Sequence, residues 1–125
     1  MRHSRLWTWH ILAGLIILVL LGLHMIVMHL EFIPLHGLNP AGGEAIDWAN
    51  VIARAKMGFF TVTYVLLLGA ALFHGLYGLN TIVGELPLGA GLKRTATMLI
   101  AALGTALFVV GAYAAVAARA LAVQL

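Results

Sequence analysis

The chain carries six His against seven Lys plus Arg and four Asp plus Glu. Imidazole is the side chain that ligates haem iron or moves a proton near neutral pH, so chemistry is sought first at the histidines. His74 has the clearest setting. It stands in residues 57–84, a run without Asp, Glu, Lys or Arg. Crossing a bilayer takes roughly 20 apolar residues, so the run is long enough. An ionisable group at that depth is costly enough to mark a functional site. At about 100° per residue, Ala70, Ala71 and Gly78 share its helical face. These small residues leave a shallow groove where a flat macrocycle could lie, with His74 as its axial ligand. They equally allow a neighbouring helix to approach and hydrogen-bond the imidazole, in which case His74 only packs.

His10 and His24 are fourteen residues apart and share a helical face to within about 40°. His29 points elsewhere and reads as an interfacial residue, while His3 and His36 read as ordinary polar residues of the terminus and a loop. With each uncharged run centred in the bilayer, His24 and His74 differ in depth by about 14 Å, and His10 and His74 by about 7 Å. The first difference argues against one haem shared by His24 and His74. It favours two stacked haems, each completed by a His from another chain. The second leaves a His10–His74 pair on one haem open. Gly14 follows His10 at the interval by which Gly78 follows His74. Glu31 lies seven residues after His24, within about 20° on the same face, and is a candidate proton acceptor at the outer boundary. The plainer reading of Glu31 is an interfacial acid that ends the helix.

The elements that position these residues follow from composition. Of 125 residues, 63% are hydrophobic and 9% charged, with a mean hydropathy of +1.06, which is a membrane protein and not a soluble core. The predicted fold is all-α, a bundle of three transmembrane helices at about 6–31, 57–84 and 95–118, forming one membrane-anchor domain over residues 1–125. Trp7 and Trp9 suit an interfacial aromatic belt. The long connection, residues 31–56, is broken by Pro34, Gly37, Pro40, Gly42 and Gly43. Its end predicts a short surface helix over 47–55, N-capped by Asp47, with Trp48 and Val51 toward the interface. Residues 85–94 read as a tight polar turn containing Pro87. The third helix, free of His and of charge, reads as a packing helix on the periphery.

Several functions are excluded. Without Cys the chain holds no disulfide, no Cys-ligated zinc and no iron–sulfur cluster of its own. A net charge of +3 does not argue for nucleic acid. Arg2, Arg5, Lys93 and Arg94 fall on one side of the membrane and Arg54, Lys56 and Arg119 on the other, which favours a cytoplasmic N-terminus.

The stretch 72–85, LFHGLYGLNTIVGE, resembles the haem-bearing helix of the small membrane anchor of succinate dehydrogenase and fumarate reductase (complex II). The likeness lies in a His, a Gly four residues on, and an acid eleven after the His. Helix one, with Trp9, Gly14 and His24 in LLGLHMIVMHL, is similar to anchors that hold two haems. The resemblance implies an inner-membrane subunit that binds one or two haem b groups shared with a second anchor subunit. It implies electron transfer between an iron–sulfur subunit, paired with a flavoprotein, and membrane quinone. His74 matches the ligand of the haem nearer the soluble subunits, and His24 the ligand of the outer haem. Glu85 matches an acid often followed by a quinone-contacting Tyr, but Leu86 follows here. The Arg and Ser or Thr of many relatives are replaced by Ile11, Leu12 and Ala13. Both departures fit use of the outer side, with menaquinone as a candidate.

The His10/His24 spacing also resembles cytochrome b of quinol-oxidising complexes, where one helix serves two stacked haems. Against that, the second helix here has one His, and those chains are much longer. The alternatives are a cytochrome b-type subunit of a hydrogenase or formate dehydrogenase, and a haem-free structural membrane subunit.

Overall fold

The computed structural model describes residues 2–29 and 39–125, with side chains from Arg5 onward. Four helices follow one another: α1 (Arg2–His29), α2 (Trp48–Lys56), α3 (Gly58–Glu85) and α4 (Ala90–Ala122). No strand occurs among the described residues. α1, α3 and α4 are each long and apolar enough to cross a membrane, and the chain is a multi-pass membrane protein. The 28 residues of α3 span about 42 Å, more than the roughly 30 Å hydrocarbon core, so the helix has length for tilt or for an end outside the bilayer.

The three long helices form a flat row. α3 lies in the middle and packs on both α1 and α4, which do not pack on one another. Each packing surface has its own logic. On α1, residues 10, 13, 17, 20, 24 and 27 face α3 with alternating steps of three and four, the seam of a left-handed helix pair. Ala13 and Val27 on this seam are buried, and His10, Ile17, Leu20 and His24 are half-buried. On α4, glycines receive the side chains of α3. Leu76 sits over Gly104 and Leu68 over Gly111, where a Cβ would come within 2.5 Å of Leu68 Cδ2; Phe108 in turn sits over Gly69. Lipid offers helices no hydrophobic incentive to associate, so close approach through small residues supplies the attraction.

α4 begins at Ala90, earlier than the predicted 95, and runs to Ala122. The turn between α3 and α4 is therefore only residues 86–89, and Lys93 and Arg94 belong to the first helical turns. Lys93 Nζ donates to the Gly84 carbonyl at 2.6 Å, placing a cation on the negative end of α3. Thr97 Oγ1 donates to Asn80 Oδ1 at 2.7 Å and ties the same two helices.

α2 lies across the ends of α3 and α4. Asp47 is its N-cap residue but makes no side-chain cap bond; its carboxylate accepts from the Glu44 N–H at 2.9 Å instead. Trp48 is 72% exposed, as expected for a side chain turned to the interface. The opposite face holds two polar residues that the hydropathy pattern does not reveal as core, Asn50 and Arg54, both buried. Asn50 accepts from the Ala41 N–H and donates to the Gly42 and Glu44 carbonyls. Gly42 and Gly43 adopt φ of 69° and 72°, which folds this loop tightly over Asn50. Arg54 donates to Asn39 Oδ1 and to the Ala45 carbonyl, and Asn39 Nδ2 donates to the Val27 carbonyl of α1 at 3.0 Å.

Candidate functional site

The His74 and His10 rings lie face to face between α3 and α1, with centroids 4.1 Å apart and planes within 7°. They therefore occupy one level of the bundle, not two levels about 7 Å apart as centring the uncharged runs predicts. Centring assumes that both helices meet the bilayer symmetrically. The register is set instead by how the seam side chains interlock.

The interlock is specific. A Cβ on Gly14 would stand 3.1 Å from His74 Cε1 and 3.3 Å from Nδ1, so the His74 ring fills the space left by Gly14. Reciprocally, the nearest atom to a Cβ on Gly78 would be His10 Cε1, at 3.7 Å. The groove over Gly78 is thus covered by the His10 ring. Tyr77 leans on His10 from α3, with centroids 5.0 Å apart.

His74 Nδ1 is 3.0 Å from the His10 backbone carbonyl. A carbonyl only accepts, so Nδ1 carries the proton and donates. In the neutral imidazole the lone pair is then on Nε2, which has no hydrogen-bond partner among the described residues. Backbone anchoring of Nδ1 is the arrangement by which a ligating His is held in one tautomer and one orientation.

His24 sits on the same α1 seam, two heptads from His10, and its ring meets Tyr64 edge-on at 5.8 Å. Tyr64 is ten residues before His74 on α3, about 15 Å along the axis, so His24 and His74 belong to different levels. The Nδ1 atoms of His10 and His24 are buried without a partner among the described residues. Orphaned buried nitrogens of this kind are uncommon and call for an explanation.

The residues can be tested against haem. Opposite axial ligands point at one another through the iron, whereas the rings of His10 and His74 lie side by side in a stack. As placed, this pair does not share one iron. His74 alone fits the axial role, by its anchored Nδ1 and free Nε2. Beside it, Ala71 is exposed and nothing lies within 4 Å of a Cβ at Gly75, so the α3 surface there is low and open. His24 offers an imidazole with an orphaned Nδ1 but no anchoring bond. Among the described residues no three His, Asp or Glu gather, so the histidines stand in ones and twos.

The remaining candidates are placed less closely. Glu85 ends α3, exposed, eleven residues from His74. Glu31 and His36 lie outside the described residues. Two open clefts of about 450 and 430 Å³ lie along the face of the row that carries Phe73 and Phe108, and neither is lined by His10, His24 or His74. Sequence reasoning missed Tyr64, Tyr77 and Arg54 as neighbours of functional positions. The one signal for Arg54 was its spacing of four from Asn50 on a short amphipathic helix.

No family model, curated protein or solved structure matches the chain.

Proposed function

We propose that this chain is the haem b-binding membrane anchor subunit of a complex of the succinate dehydrogenase or fumarate reductase type. The observation that carries the reading is the hydrogen bond from His74 Nδ1 to the His10 carbonyl, made within a membrane-spanning helix and leaving Nε2 unpartnered. His74 holds the inner haem and His24 the outer one. Bound haem supplies one-electron transfer between an iron–sulfur subunit and membrane quinone, with menaquinone favoured. The chain's own part is to hold and orient. The His10 carbonyl keeps the His74 ring in one orientation, Gly14 gives it room, and the apolar seam excludes water.

The flat row supports dependence on other chains. Its helices leave most of their large apolar side chains outside any core of their own, among them Leu18, Val110 and Tyr113. A second anchor subunit would cover part of this surface and supply the remaining haem ligands, while the flavoprotein and iron–sulfur subunits would carry the dicarboxylate chemistry. The subunit sits in the inner membrane with its N-terminus in the cytoplasm.

A second reading has its own observation. The His10–His74 stack is itself a packed contact between α1 and α3, so both rings can serve a haem-free structural subunit as packing. A reduced-minus-oxidised absorption spectrum of the complex purified through this chain separates the two. A haem b band is expected, and its absence leaves the packing role. Co-purification of a hydrogenase or formate dehydrogenase in place of the flavoprotein would move the subunit to that complex.

A further inference from the structure

The end of the bundle covered by α2 contains a cation that the described residues do not neutralise. Arg54 is 5% exposed, and the acceptors of its guanidinium are a carboxamide and a backbone carbonyl, both uncharged. The carboxylate of Asp47 is engaged with the Glu44 N–H, and Glu44 itself is exposed. A buried charge is costly unless an opposite charge meets it.

Arg54 lines a cavity of about 180 Å³ between α2, α3 and α4. Thr61 and Tyr64 line it from α3, with Ala115 and Ala118 on the α4 side. The hydroxyls of Thr61 and Tyr64 have no hydrogen-bond partner among the described residues. The polar groups that line this space are thus two hydroxyls able to donate and one cation, with no carboxylate among the described residues lining it. Two more cations stand at the same end: Lys56 is exposed, and a Cβ on Gly58 would lie 3.3 Å from a terminal nitrogen of Arg119. The remaining walls are apolar: Val51 and Ala55 of α2, Phe60 of α3 and the two alanines of α4.

We propose that this cavity binds the phosphate of an anionic lipid headgroup, with Arg54 as its counter-charge and the Tyr64 and Thr61 hydroxyls as donors. The site lies where the amphipathic α2 crosses the ends of two membrane-spanning helices, which is the level of headgroup phosphates. The apolar walls suit the first methylenes of the lipid. A neutral quinone ring would supply acceptors yet leave the Arg54 charge unmet, so the charge decides for phosphate. The inference does not depend on haem.

The test uses the full-length chain in the complex with which it is extracted, exchanged into nanodiscs of phosphatidylcholine with or without phosphatidylglycerol. Lipid retention is read by native mass spectrometry and stability by thermal melting. Wild type is expected to retain phosphatidylglycerol through the exchange and to melt higher in its presence. Tyr64→Phe should weaken retention about tenfold or more, the loss of one charge-assisted hydrogen bond. Ala115→Leu fills the cavity without touching the partners of Arg54 and should abolish both retention and the melting shift, with helical circular dichroism unchanged. Unaltered retention in Tyr64→Phe or in Ala115→Leu would overturn the proposal. So would a retained neutral quinone in place of phospholipid, or an equal stabilisation by inorganic phosphate in pure phosphatidylcholine, which would make this a free-anion site.

Discussion

Gly14 of α1 and His74 of α3 are complementary in shape: the ring of one fills the space where a side chain on the other would begin, with Cε1 3.1 Å from the position of a Cβ. Sixty residues apart in sequence, they set the level at which the two helices meet. The contact is tight enough that a methyl group requires the ring to give by a few tenths of an ångström, and an isopropyl group requires it to leave.

Gly14→Ala should therefore be mild and Gly14→Val severe, destabilising by about 1–3 kcal/mol through overpacking. Thermal melting of the detergent-solubilised complex measures the cost. With His74 as a haem ligand, Gly14→Val should also lower the haem-to-protein ratio. A loss of stability in a complex whose haem content is unchanged would separate His74's packing from ligation.

His10 and His74 should respond differently to truncation. His74 is anchored by the backbone carbonyl of His10, which survives His10→Ala, whereas the ring stack does not. On the proposed haem assignment, His10→Ala should keep the inner haem with an altered spectrum or potential, and His74→Ala should lose that haem. His24→Ala should lose only the outer haem, since His24 packs at the level of Tyr64. Haem per complex in the three variants is the measurement. Removal of all haem by either His24→Ala or His74→Ala, in a complex that still assembles, would instead indicate one shared site.

Asn50 is fully buried and joins three backbone groups of the loop before α2. Asn50→Leu strands those groups and should cost about 1–3 kcal/mol. The damage should be local. Hydrogen exchange is expected to quicken over residues 39–47 while α3 and α4 keep their protection. Uniform loosening of all helices would contradict a role confined to the loop.

Gly104 and Gly111 are seven residues apart on α4 and receive Leu76 and Leu68. Valine at either position should push α4 away from α3 and cost about 1–3 kcal/mol by overpacking. The double variant should exceed either single change. Disulfide trapping between cysteines introduced on the lipid-side ends of α3 and α4 would report the separation, and unchanged trapping would count against glycine-mediated contact.

The sequence by itself determined what depends on local chemistry. Uncharged runs of more than twenty residues specify three spans, because a backbone in lipid must satisfy its hydrogen bonds within its own helix. The fourteen-residue interval puts His10 and His24 on one seam, because helical periodicity is a local property. Small residues around His74 likewise announce a close approach of something. What approaches was decided only by tertiary structure. The His10 ring, and not open space, covers Gly78, because the sliding register of α1 on α3 depends on how non-adjacent side chains interlock. Arg54 was legible as a surface charge from its sequence neighbours. It is buried because Asn39 and Ala45, brought round by the Gly42–Gly43 turn, supply acceptors that no local pattern shows. Intervals along one helix are written in the chain, whereas the meeting of two helices is settled by the shapes that fit between them.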